Sequence, residues 1–293
     1  MPVSHLLLAL LVVFIWGTNF VVIKWGLEEF PSFLFATLRF VLSALPWIFV
    51  FRRPAVPWHM LISVGVLLGV GQFGLLYWAM QHDISPGMAS LVVQAQVFFT
   101  ILMSVLFGQE KVKPLQLWAL GLAVCGYAVV AWYSVKDVTS AITLTGFGIV
   151  LAAAFSWACT NMVMRQAGRV NMLAFMSWSS LFAVPPLFLI SWWFEGMASI
   201  HHALAHATLN GWLAAFWQAI GNTIFGFGVW GWLLARHSAA TVAPMALLVP
   251  VFGILSSALL VEEGLPDWKL LAAGFVVGGL ALNVYASRRG ARN

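Results

Sequence analysis

Of the 293 residues, 62% are hydrophobic and only 8% are charged, whereas soluble domains carry about a quarter charged residues. A water-soluble globule of this length cannot hide that much apolar surface, so lipid solvates most of the chain. The net charge of +5 raises the question of nucleic acid, but apart from Arg39 the cations lie in ones and twos between apolar runs or at their ends, with no basic patch interleaved with stacking aromatics.

A helix needs about 20 apolar residues to cross a bilayer. Runs of that kind fall at 5–24, 31–51, 58–80, 86–107, 114–134, 144–164, 172–193, 209–234, 239–261 and 267–286. The first has no basic stretch before it and no small-residue cleavage site, so it is expected to stay as a helix. It carries Trp16 and Asn19, three apart and on one face. The second run holds Arg39, the one basic residue well inside an apolar run. Arg39 lies roughly 12 Å from the outer end of its helix. It is expected to snorkel outward as an anchor, with binding of a substrate carboxylate as the alternative.

The third run brings Gln72, Tyr77 and Trp78, and the fourth Gln94 and Gln96. Residues two apart on a helix point about 200° from each other. One glutamine, Gln94 by expectation, therefore faces a cavity while the other bonds a neighbouring helix. The sixth run repeats the first run's pattern with Trp157 and Asn161 on one face, and Pro185–Pro186 interrupt the seventh. Residues 194–208 match no motif. They contain His201, His202 and His206, expected in a solvated loop and not in a metal site. Asn222, Thr223 and Trp230 lie in the eighth run, and Tyr77, Trp78 and Trp230 are expected to form an apolar wall. Pro244 and Pro250 break backbone bonding in the ninth and mark it as a hinge. Cys125 and Cys159 read as small buried hydrophobes, without a disulfide or zinc pattern.

The basic residues are distributed unevenly. With the N-terminus in the cytoplasm, ten fall on that side (Arg52, Arg53, Lys111, Lys113, Arg165, Arg169, Arg236, Arg288, Arg289, Arg292). Three fall outside (Lys24, Lys136, Lys269). Positive residues in short loops stay inside, so both termini are expected in the cytoplasm.

The chain also repeats itself. QAQVFFTILMSVLFGQE (94–110) aligns without gaps on LLVPVFGILSSALLVEE (247–263), pairing Phe99/Phe252, Ser104/Ser257 and Glu110/Glu263. Downstream the same register pairs Gly121/Gly274 and Gly126/Gly279; upstream, shifted by one, it pairs Gly69/Gly221 and Trp78/Trp230. FIWGTNFVVIK (14–24) resembles FSWACTNMVMR (155–165). Residues 1–134 and 144–288 are therefore expected to be two copies of a five-helix unit. An odd unit starts its second copy from the opposite side. The expected architecture is thus an all-α integral membrane protein of ten transmembrane helices in two inverted repeats, the build of secondary transporters.

LLVVFIWGTNFVVIKWGL (10–27), ASLVVQAQVFFTI (89–101) and VAPMALLVPVFGILSSALLVEE (242–263) resemble the EamA family of the drug/metabolite transporter superfamily, over essentially the whole chain. Within it the likeness is to carriers that export O-acetylserine and cysteine. The resemblance implies a bacterial inner-membrane exporter of small amino-acid metabolites, with a multidrug exporter as the alternative. A membrane-embedded enzyme or non-transporting protein is the reading of another class. No cofactor or metal is expected, and the state is monomer or weak dimer. There is no GxxxxGK[ST] motif and no mid-run Asp or Glu, so neither a P-loop nucleotide nor a buried proton-carrying carboxylate is expected to drive transport.

Overall fold

The structure is a computed structural model that describes residues 1–107, 114–136, 142–168, 170–237 and 242–290, without the side chains of 234–235, 243–244 and 288–290. The expectations placed on Glu110, Lys111, Lys113, Arg169, Arg292 and the Pro244 ring lie outside the described residues.

In chain order the helices are α1 (Val3–Glu29), α2 (Ser32–Ile48), α3 (Trp58–Val66), α4 (Leu75–His82), α5 (Pro86–Val92), α6 (Ala95–Leu106), α7 (Pro114–Lys136), α8 (Leu144–Gln166), α9 (Met172–Phe194), α10 (Met197–His206), α11 (Leu209–Phe216), α12 (Gly226–Arg236), α13 (Leu248–Leu260) and α14 (Asp267–Gly290). Two π-helical segments, Leu67–Gly74 and Trp217–Phe225, join α3 to α4 and α11 to α12, and a 3₁₀ turn, Ala243–Leu247, precedes α13. Among the described residues the β structure is one bridge, Ile84 to Ile142. Among the described residues seven helical stretches are long and apolar enough to cross a membrane, and Ser32–Ile48 and Met245–Leu260 are apolar but shorter. In hydrocarbon a backbone has to satisfy its own hydrogen bonds, which is why apolar runs of this length become helices.

Prolines mark several helix starts. Pro2, Pro31 and Pro57 precede α1, α2 and α3, and Pro86 opens α5, where the missing N–H costs nothing. The helices pack in pairs: α7 along α14, α2 along α9, α1 along α13, and α6 along α8. Small residues allow the closest approaches. A Cβ on Gly126 would lie 2.9 Å from the Ala272 carbonyl oxygen, and one on Gly279 would lie 2.7 Å from that of Ala119. These two glycines, paired by the sequence repeat, bring α7 and α14 together from opposite sides.

Acidic groups tie one end of the bundle at four helix N-termini. Glu195 accepts from the backbone N–H of Phe33 and Leu34 at 2.7 and 3.0 Å, at the start of α2. Glu263 accepts from the N–H of Gly87, in α5, at 2.9 Å and from Lys269 Nζ at 2.6 Å. Glu29 accepts from Thr208 N–H at 3.1 Å, before α11, and Asp83 from the Thr143 hydroxyl at 2.8 Å, before α8. Carboxylates suit these positions because helix N-termini present unpaired N–H groups and a partial positive charge. At the opposite end His5 and His237 pair through ring nitrogens 2.7 Å apart, and Trp178 donates to the Phe51 carbonyl at 3.0 Å.

Three expectations are corrected. Residues 197–206 form α10 and not a loop, with the exposed His202 and His206 rings stacked at 4.3 Å across one turn. Cys125 is exposed, because α7 gives its packed face to α14 and leaves the other outward. Cys159 is partly exposed, with its sulfur 3.9 Å from that of Met103.

Candidate functional site

Two polar clusters interrupt the apolar interior. The first is fully enclosed and draws on four elements. Arg39 of α2 donates through Nη1 to the Tyr77 hydroxyl and to Gln218 Oε1, both at 2.9 Å, and through Nη2 to Thr223 Oγ1 at 3.0 Å. Tyr77 of α4 donates to the same Gln218 oxygen at 3.0 Å, and Asn19 of α1 does so at 3.2 Å. The Gln218 amide nitrogen returns a bond to Asn19 Oδ1 at 2.8 Å. The Arg39 guanidinium lies 3.5 Å from the centre of the Phe73 ring, and its Nε has no partner.

The expectation that Arg39 snorkels is overturned: the residue is 1% exposed. Snorkelling requires a path to water along the helix. Here α2 packs on α9 and on the π segment containing Gln218, so the guanidinium points into the bundle. Tyr77 is likewise more than apolar wall, because its hydroxyl belongs to the hydrogen-bond network.

The second cluster lines an open groove of about 290 Å³ between α6 and α8. Asn161 Nδ2 donates to Gln96 Oε1 at 2.9 Å and to Thr100 Oγ1 at 3.2 Å, and Arg165 Nη1 donates to Ser104 at 2.8 Å. The two glutamines do face different ways. However, it is Gln96 that reaches the groove, while Gln94 is buried. The matching Trp–Asn faces of α1 and α8 therefore serve separate clusters, Asn19 in the enclosed one and Asn161 in the groove.

The remaining candidates are spread out. Trp16 donates to the Asn222 carbonyl at 3.2 Å and packs 5.1 Å from Trp230. Asn222 is buried and takes part through its backbone. Trp157 is half-buried against the core. Trp78 stacks on Phe33 and packs at a tilt against His82, next to the acid-tied end. Gln72 is buried with no partner for Oε1. Pro250 is buried within α13 and Pro244 lies in the 3₁₀ turn before it.

Sequence reasoning missed Gln218, the hub of the enclosed cluster, although it is a polar residue inside an apolar run (AAFWQAIGN). It also left out Arg165 and Ser104, which lie near helix ends, where polar residues are ordinary.

The EamA-like transporter family matches residues 3–132 and 144–285. The chain belongs to that family. Two relatives, from Escherichia coli (strain K12) and Salmonella typhimurium (strain LT2), are each named a probable amino-acid metabolite efflux pump. Each is 40% identical over 96% of this chain and 95% of its own length. A crystal structure with 20% sequence identity superposes over 99% of this chain and 100% of its own, with a TM-score of 0.65, and shares the fold. The EamA-like family is one of transporters, so these apolar helices belong to a membrane carrier.

Proposed function

We propose that this chain is a secondary transporter of the bacterial inner membrane. It exports small amino-acid metabolites, such as cysteine and O-acetylserine, by alternating access between two inverted five-helix repeats. The observation that carries the reading is the enclosed polar cluster. Asn19, Arg39 and Tyr77 come from residues 1–134 and Gln218 and Thr223 from residues 144–288, so its bonds cross between the two units. Buried polar groups in a membrane bundle mark substrate paths, and substrate sites of inverted-repeat carriers lie between the repeats.

The packing supports the inverted reading. Exchanging the two units turns the α1–α13 contact into the α6–α8 contact, and the packing of α1 on the second π segment into that of α8 on the first. The π segments fall at corresponding places, and each offers a carbonyl to the other unit: Leu67 to Ser156 at 2.8 Å and Asn222 to Trp16 at 3.2 Å. The relatives' name supports the substrate class. In this reading the chain crosses ten times, both termini are cytoplasmic, the acid-tied end faces outward, and the groove holding Gln96 and Asn161 opens to the cytoplasm. The carrier works as a monomer or weak dimer, and the hinge lies at the 3₁₀ turn holding Pro244 and at Pro250 in the first turn of α13.

Counterflow into liposomes holding the purified protein tests this, with labelled cysteine, labelled O-acetylserine and a cationic dye. Saturable flux of the amino acids without the dye is expected, and dye flux alone would point to multidrug export. Pro250→Ala is expected to slow exchange, and an unchanged rate would remove the hinge from the scheme.

A further inference from the structure

We infer that Gln218 Oε1 occupies the position at which a substrate carboxylate oxygen binds, so that Arg39, Tyr77 and Asn19 form a carboxylate receptor held closed by the protein's own amide. The inference rests on the transport reading above and narrows its substrate class.

Three donors converge on that one oxygen, from Arg39 at 2.9 Å, Tyr77 at 3.0 Å and Asn19 at 3.2 Å. A neutral amide oxygen has two lone pairs and little charge for three donors, one of them cationic. A carboxylate oxygen matches that demand, because charge-assisted hydrogen bonds are roughly twice as strong as neutral ones. The other groups around the guanidinium are neutral as well: Thr223 Oγ1 and the Phe73 ring. No carboxylate pairs with Arg39 among the described residues; the ion pair they contain is Lys269–Glu263, at the acid-tied end. A buried cation without an anion is costly. That cost is offset when an anion arrives, which gives the substrate its binding free energy.

Two further features fit. Arg39 Nε is buried and unpartnered, leaving a spare donor on the guanidinium for a second carboxylate oxygen. Gln218 lies in a π segment, a helix form that concentrates at functional sites. A small shift of this segment withdraws the amide and frees the three donors. The ligand class follows: a small zwitterion or monoanion with a free carboxylate. Net cations are disfavoured by the uncompensated charge of Arg39.

The test pairs L-cysteine with cysteamine, the same molecule without its carboxylate, in liposome counterflow and in thermal unfolding of the detergent-solubilised full chain. Acetate and propionate serve as minimal carboxylates in the unfolding assay. The wild type is expected to carry cysteine at least about a hundredfold faster than cysteamine, and to be stabilised by carboxylates alone. Gln218→Glu places a permanent carboxylate against Arg39. It is expected to raise the unfolding temperature, abolish cysteine flux and remove the response to carboxylates. Arg39→Gln is expected to lose both flux and response. Equal flux of cysteine and cysteamine, or a Gln218→Glu protein that still carries cysteine, would make Arg39 a structural strut and overturn the inference. If the wild type carries neither compound yet is stabilised by carboxylates in a Gln218-dependent way, the receptor stands and the transport reading falls. Absence of both flux and stabilisation removes both.

Discussion

Asn19 and Gln218, 199 positions apart, are joined by reciprocal amide hydrogen bonds: Asn19 Nδ2 donates to Gln218 Oε1 at 3.2 Å and Gln218 Nε2 donates to Asn19 Oδ1 at 2.8 Å. The pair ties α1 to the π segment after α11. It also orients Gln218 so that its oxygen meets Arg39 and Tyr77.

The two partners are unequal. Asn19→Leu removes one reciprocal bond pair and is expected to cost about 1 kcal/mol, the usual scale for a hydrogen bond between membrane helices. Gln218→Leu also strips an acceptor from Arg39 and Tyr77, and is expected to cost about 3 kcal/mol because it leaves a buried charge less compensated. Chemical unfolding in micelles measures both. A larger loss for Asn19→Leu would show that Gln218 is not the hub.

Glu263 predicts a pH dependence. Burial pushes its carboxyl up, but hydrogen bonds from Lys269, Ser257 and Ser85 outweigh this and hold it below the ordinary 4.5. A carboxylate with a depressed folded pKa contributes stability that is full above its unfolded pKa and is lost as pH falls through the folded one. Wild-type stability is therefore expected to stay level with respect to this group above pH 4.5 and to fall below it. Glu263→Gln should flatten that acid limb and cost about 1–3 kcal/mol at neutral pH. An unchanged acid limb in the variant would detach Glu263 from the closure of α5 against α13.

The helix pair α7–α14 separates two kinds of glycine. A side chain at Gly279 meets the backbone of α7, whereas one at Gly274 meets nothing within 4 Å. Gly279→Leu is expected to destabilise by about 1–3 kcal/mol through overpacking. Gly274→Leu should be neutral or slightly stabilising, since leucine is the better helix former by about 1 kcal/mol. Thermal unfolding of the two variants side by side decides it.

Ser156 satisfies the Leu67 carbonyl at the start of the first π segment. Ser156→Ala is expected to cost about 1 kcal/mol. Its signature should be local: amide exchange across 67–74 rises about five- to tenfold while exchange in α14 holds. Uniform acceleration across the chain would mean that the bond supports the whole bundle and not this segment.

Much of the architecture was legible because lipid imposes local rules. Apolar length marks a membrane helix wherever it occurs, and apart from α10 the helices fall where the apolar runs do. The repeat register that pairs Gly126 with Gly279 said nothing of contact; that the two sit where the backbones of α7 and α14 approach came from the structure. The candidate site was legible only in part. Asn19, Gln96 and Asn161 stood out as polar groups inside apolar runs, and Tyr77 only as apolar wall, yet nothing in the spacing says that Asn19 meets Gln218 while Asn161 meets Gln96. Arg39 shows the limit most clearly. A long cation some 12 Å from a helix end fits either a snorkelled anchor or a buried charge, and its own helix is the same in both cases.

The sequence by itself determined the membrane class, the all-helical build, the matched halves and the places where polar groups interrupt apolar runs, because each is read from local runs of residues or from the recurrence of such a run along the chain. The tertiary structure decided which of those groups meet, that Arg39 is sealed inside with a neutral amide against it, and that acidic residues tie one end together. Those outcomes depend on which helix lies across from which. In an apolar solvent that choice is made by close packing of small residues and by pairing of polar groups far apart in the chain, neither of which has a period to read.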